Sequence, residues 1–173
     1  LQAVTATAGW LLSTGASAER PVMALSENSV DLGVLTLAAM HVGAPICVVS
    51  AAYSLMSQDH ERLKAMTALL TPAVVFASDS GPYGAALDAI RDLHGGVEVV
   101  SRDTAGRGAP RFAEARDAGA AGAVAEAFAR VGPETTATRT GATPAFLKPS
   151  FEAAARVTSI TRPRMNGPRS LMR

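Results

Sequence analysis

Side chains able to do chemistry are few in this sequence, and they stand apart. One cysteine, Cys47, and three histidines, His41, His60 and His94, supply every thiol and imidazole. Their separations match no metal-ligand spacing. A thiol turns nucleophilic when it is exposed beside a positive charge, whereas Cys47 lies in the apolar run Ile46 to Val49 and reads as buried and inert; with one cysteine, no disulfide within the chain is possible. Ser26-Glu27-Asn28-Ser29 sits between a short apolar run and a helical one, where α/β proteins often hold phosphate on a helix N-terminus. No glycine there lets a ligand approach the backbone, and Glu27 repels an anion. Capping is the better reading, with Asn28 or Ser29 as N-cap. Gly106 and Gly108 form a GxG whose third glycine is replaced by Arg111, and a dinucleotide fingerprint needs all three. Tyr53 and His41 are candidates for a substrate pocket, but read better as a core tyrosine with a satisfied hydroxyl and a helix histidine packed under a sheet. No catalytic, cofactor-binding or metal-binding residue is assigned.

The elements that would position any site are organised around Gly33 to Met56, a stretch with no Asp, Glu, Lys or Arg. From Asp31 to Val42 apolar residues lie almost all round a helix, which predicts cover on more than one side. Gly43 can take the positive φ that follows a helix end and Pro45 stops the helix, so Ile46 to Val49 begins a strand, read as central. A membrane span needs about 20 unbroken apolar residues; Gly43 and Pro45 interrupt this one, and a span is rejected.

On either side the pattern continues. Leu1 to Thr14 predicts a helix with Val4, Ala8, Leu11 and Leu12 on one face, and Pro21 to Leu25 a strand. Ser57 is placed as the cap of a helix from Gln58 to Leu70 with a stripe of Leu63, Met66, Leu69 and Leu70; Ala73 to Ala77 is the next strand. Asp79-Ser80-Gly81-Pro82 reads as a turn, Tyr83 to Leu93 as a helix stopped by Gly95-Gly96, and Val97 to Val100 as a strand. Arg102 to Pro110 is a polar loop and Ala113 to Val131 one or two exposed helices. Alternating helices and strands predict an α/β fold, a parallel sheet with helices on both faces.

Composition, 48% hydrophobic and 18% charged, is that of a globular chain. The net charge of +1 conceals a boundary: residues 1–135 hold nine Lys and Arg against fourteen Asp and Glu, while 136–173 hold seven against one. The division is therefore an α/β unit over 1–135 and a basic, irregular tail over 136–173, with a helical possibility at Phe151 to Val157. The tail has two readings, a disordered basic segment or an out-of-frame translation of GC-rich DNA; the other two reading frames of the coding DNA distinguish them. The first residue, Leu1, is not methionine, which suggests a fragment. A cut secretory signal ending at Ala16-Ser17-Ala18 is the other reading of the start, but no basic n-region is visible.

The segments ERPVMALSENSVD, LAAMHVGAPICVVSAAYSLMSQDHERL, ALLTPAVVFASD and ARVGPETTA resemble, in order and spacing, the first part of the adenylate-forming acyl- and aryl-CoA synthetases, most of all feruloyl-CoA synthetases. The likeness covers roughly residues 1 to 137. It implies a carboxylic acid attacking the α-phosphate of ATP, with magnesium, to give an acyl-adenylate that coenzyme A then converts to a thioester. In the full-length family the partner is a small aromatic or acyl carboxylic acid, and a cytoplasmic location is expected. No membrane role is expected, and the basic tail, with Phe146 and Phe151 as its aromatics, carries no nucleic-acid signature. The family's phosphate loop should follow Val131-Gly132-Pro133-Glu134; Thr136 to Pro149 offers Gly141 and Lys148, but Pro144, Phe146 and Leu147 are unsuited to wrapping phosphate with backbone N–H groups. Ala51 also departs from the family's proline. The expectation is a ligase fragment, inactive alone and binding no cofactor, with an incomplete sheet that exposes apolar surface. The alternative is a free-standing α/β binding module whose basic tail docks nucleic acid or an acidic partner.

Overall fold

A computed structural model describes residues 1–102, 109–117 and 122–138 of the chain. The elements are α1 (Gln2–Ser13), β1 (Val22–Leu25), α2 (Val30–Val42), β2 (Ile46–Val48), α3 (Ala51–Ser54), α4 (Glu61–Leu70), β3 (Val74–Asp79), α5 (Ser80–Ile90), a 3-10 turn (Arg91–Leu93), β4 (Val97–Arg102), α6 (Phe112–Asp117) and α7 (Val124–Ala129).

The four strands form one parallel sheet in the order β2-β1-β3-β4. Successive side chains of a strand point to opposite faces, and the buried residues divide accordingly. Val22, Ala24, Ile46, Val74, Phe76 and Val99 join a core with α1, α2, α6 and α7. Met23, Leu25, Cys47, Val75, Ala77 and Val100 join a second core with α4 and α5. Continuous apolar runs such as VMAL and VVFA are what a strand covered on both sides requires. The expected α/β sheet with helices on both faces is the observed one.

Local chemistry sets the junctions. Gly43 ends α2 at φ 71, and Ala44 donates its N–H back to the Ala39 carbonyl at 3.0 Å. The Ser29 hydroxyl caps α2 by accepting from the Leu32 N–H at 3.1 Å. Both outer strands gain a one-residue parallel bridge, Thr138 on Ile46 and Arg111 on Val100.

Several expectations are corrected. β2 is at the sheet edge; β1 and β3 are the central strands, because after β2 the chain crosses back over the sheet and lays β3 on the other side of β1. α2 is covered on one side only: Val30 is 83% exposed, Leu37 52% and Met40 41%. α4 begins at Glu61, since the Ser57 hydroxyl accepts from His60 N–H and holds residues 57–60 in a turn; its buried stripe uses Thr67, while Leu69 lies outside. α5 includes Gly81 and Pro82, because the first turn of a helix needs no N–H from proline and Asp79 accepts from the Gly81 N–H at 2.9 Å. α6 and α7 are not simply exposed: Phe112, Ala115, Val124 and Ala127 are buried. The glycine pair Gly106 and Gly108, the residues Gly141 to Lys148 and the tail from 139 lie outside the described residues.

Candidate functional site

In an open parallel sheet, ligands collect at the carboxyl ends of the strands, where neighbouring connections depart to opposite faces. Here that place lies between β1 and β3. The chain leaves β1 for α2 in one core and leaves β3 for α5 in the other. The crevice is bordered by Ser26, Glu27, Asn28 and Ser29 after β1, and by Ser78, Asp79 and Ser80 at the end of β3.

Most of these groups are already engaged. The Ser26 hydroxyl donates to the Glu27 carbonyl at 2.6 Å. Ser29 and Asp79 serve as the caps of α2 and α5, and Asp79 also lies 3.8 Å from the Arg102 guanidinium. Asp31, in the first turn of α2, accepts a short hydrogen bond from Ser101 at the end of β4, tying the α2 connection to the far side of the sheet.

Tyr83 is the polar group that sequence reading passed over. It is 2% exposed, and its hydroxyl, within reach of Ser78, closes no hydrogen bond of good geometry. Burial first and the negative charge of Glu27 second push the phenol above its ordinary range, with the Ser78 hydroxyl working the other way. Its spacing with Ala86, Leu87 and Ile90, the buried face of α5, was the available signal.

The edge is rich in hydroxyls, and Glu27, Asp31 and Asp79 are its carboxylates. A triphosphate fits it poorly: the acids repel it, Arg102 is paired with Asp79, and no glycine opens the β1 loop. Among the described residues, no three His, Cys, Asp or Glu side chains gather as a metal site would require.

The histidines are spread over the fold. His41 is half-buried near the end of α2 and stacks on Phe128 at 4.8 Å, so it is not packed under the sheet. His60 precedes α4 in a left-handed conformation, φ 53, with Nδ1 3.4 Å from the Tyr53 carbonyl. Tyr53 is half-buried against the second core and carries the Arg62 guanidinium 5.5 Å from its ring centre. Cys47 is buried in the second core, far from the role of a nucleophile.

Both ring nitrogens of His94 are buried and close no hydrogen bond of good geometry. Burial lowers its pKa from the ordinary 6.5, opposed by Glu98 and the Gly96 backbone and assisted by Arg91. The neutral ring is the one the fold accepts, so stability is complete above pH 6.5 and falls as the pH drops from 6.5 towards the folded pKa. Thermal melts between pH 7.5 and 5 should therefore show a declining midpoint that His94→Gln flattens; equal slopes in the two proteins would contradict this.

No protein-family model matches the chain. No curated protein matches it either. Solved structures do share its fold. A red-emitting luciferase from Phrixothrix hirtus superposes with a TM-score of 0.62 at 16% identity, over 80% of this chain and 33% of the luciferase. A benzoate CoA ligase from Burkholderia xenovorans LB400 gives 0.52 at 22% identity, over 69% and 22%. ATP-bound MatB from Rhodopseudomonas palustris gives 0.51 at 22%, over 78% and 25%. The chain thus spans between about a fifth and a third of the length of these structures.

Proposed function

We propose that this chain is part of an ATP-dependent carboxylic acid:CoA ligase of the adenylate-forming kind, with an aromatic acid such as a hydroxycinnamate as substrate. The fold likeness to a benzoate CoA ligase carries the reading. The order and spacing of the segments ERPVMALSENSVD to ARVGPETTA support it independently; they run through β1, the end of α2, β2 and β3 to Ala137, whose carbonyl accepts the Ile46 N–H. In the whole enzyme ATP, magnesium and coenzyme A would supply the adenylation and thioester chemistry in the cytoplasm. The residues described here do not fit a triphosphate, and no step is assigned to them. Their part is to build the sheet and the crevice bounded by Ser26, Ser78 and Tyr83.

The chain alone, supplied with ATP, magnesium and a hydroxycinnamic acid, should release no pyrophosphate above a blank. Residues 1–135 spliced into the benzoate CoA ligase in place of the superposed segment should restore adenylation. A soluble, folded chimera without pyrophosphate release would overturn the ligase reading, and release by the chain alone would overturn its inactivity.

A further inference from the structure

The outward face of α2 is apolar and open. Val30, Gly33, Leu37 and Met40 are all exposed, and at about 100° per residue they fall within an arc of roughly 80°. The opposite side of the helix, Leu32, Leu35, Ala38 and Ala39, is buried in the first core. A stripe spaced three, four and three residues apart is an a/d seam, the pattern of helices that pack against helices.

This stripe also reads the same from either end. In an antiparallel pair of α2 helices related by a twofold axis near Leu35, Val30 of one copy falls opposite Met40 of the other, and Leu37 falls opposite Gly33. The large side chain then meets the missing one. A Cβ added at Gly33 would meet nothing within 4 Å, so the space above it is open. A shallow hollow of about 400 Å³ lies there, lined by Asn28, Ser29, Leu32, Gly33, Thr36 and Leu37. It is apolar and large enough for a leucine side chain. Charge does not oppose the pairing: the ionisable side chains of α2 are Asp31 and His41, at opposite ends, and Asp31 is held by Ser101.

We infer that α2 is a self-association surface on which a second copy of this chain packs antiparallel, with Leu37 of each copy seated over Gly33 of the other. Such a contact is isologous and closes on itself. Three side chains and a glycine per copy form a small seam beside the roughly 1,200–2,000 Å² of a stable complex, so the dimer forms and dissociates with concentration. The inference does not rest on the ligase reading.

Sedimentation of the full chain over a series of concentrations tests it. The expected result is a reversible shift from 17.7 kDa to twice that mass. Gly33→Lys and Leu37→Glu, each on exposed positions and each checked by circular dichroism for an unchanged fold, should weaken the dimer by about tenfold or more. Mixing the two variants should restore association, because one half of the seam then faces an ammonium with a carboxylate and the other keeps Leu37 over Gly33. A chain that stays monomeric throughout leaves this face to another polypeptide and overturns the inference. So does open-ended assembly, a dimer indifferent to both substitutions, or a mixture no tighter than its components.

Discussion

Phe76→Ala should lower the unfolding free energy by about 3–5 kcal/mol, the range for removing a fully buried aromatic ring. Phe76 is 0% exposed on the central strand β3. Its ring meets that of Phe112 edge-on at 5.3 Å, and Phe112 in turn meets Trp10 at 6.4 Å. The three rings join β3, α6 and α1 across the first core, so the cavity has walls from three elements and none can close it without moving a neighbour. Chemical denaturation should show a lower midpoint with an unchanged slope. A loss below about 1 kcal/mol would mean that α6 is not seated on β3 as described.

The second large effect is expected from the smallest side chain change, Gly96→Ala. A Cβ at Gly96 would lie 2.3 Å from the Pro72 carbonyl oxygen and 2.6 Å from that of Ala73. These atoms are backbone at the entrance to β3 and cannot swing aside as a flexible side chain would. The Ala73 carbonyl also accepts the Val97 N–H at 2.8 Å, the first bond joining β4 to the sheet. Relieving the clash therefore displaces β4, and a cost of about 2–3 kcal/mol follows from overpacking against fixed backbone. Amide hydrogen exchange should show protection lost first along Val97 to Val100. A fully stable variant would show that Gly96 is spaced further from β3.

How far residues announce structure differs between these positions. Gly95-Gly96 reads in sequence as a helix stop, and a stop is there; the tight approach to Pro72 is a tertiary fact that no local pattern contains. The α/β class was legible because VMAL, ICV and VVFA are unbroken apolar runs between helical patterns, as a sheet covered on both faces demands. Strand order was not. Ile46 to Val48 is as apolar as β1, yet it lies at the edge, because apolarity reports burial of the two faces and says nothing of which strand lies alongside. The same limit explains α2, where an apolar perimeter predicts general cover but the fold supplies it on one side.

The site was less legible still. Ser29 as a cap could be read from its place before Val30, since the capping bond is local. The meeting of Asp31 with Ser101 joins residues far apart in the chain, and it exists because β4 reaches the same sheet edge as the start of α2. Tyr83 looked like the first residue of a helix and proved to be a buried phenol beside Glu27 and Ser78.

The bridge between Ile46 and Thr138 has a kinetic side. It fastens the last described residue to a strand laid down early in the chain, through the hydrogen bond from Ile46 N–H to the Ala137 carbonyl at 3.1 Å. Closing so long a loop yields one bond for a large loss of chain freedom, so it gains from waiting until the sheet already stands. Weakening this contact should therefore hasten opening and leave the rate of assembly almost untouched.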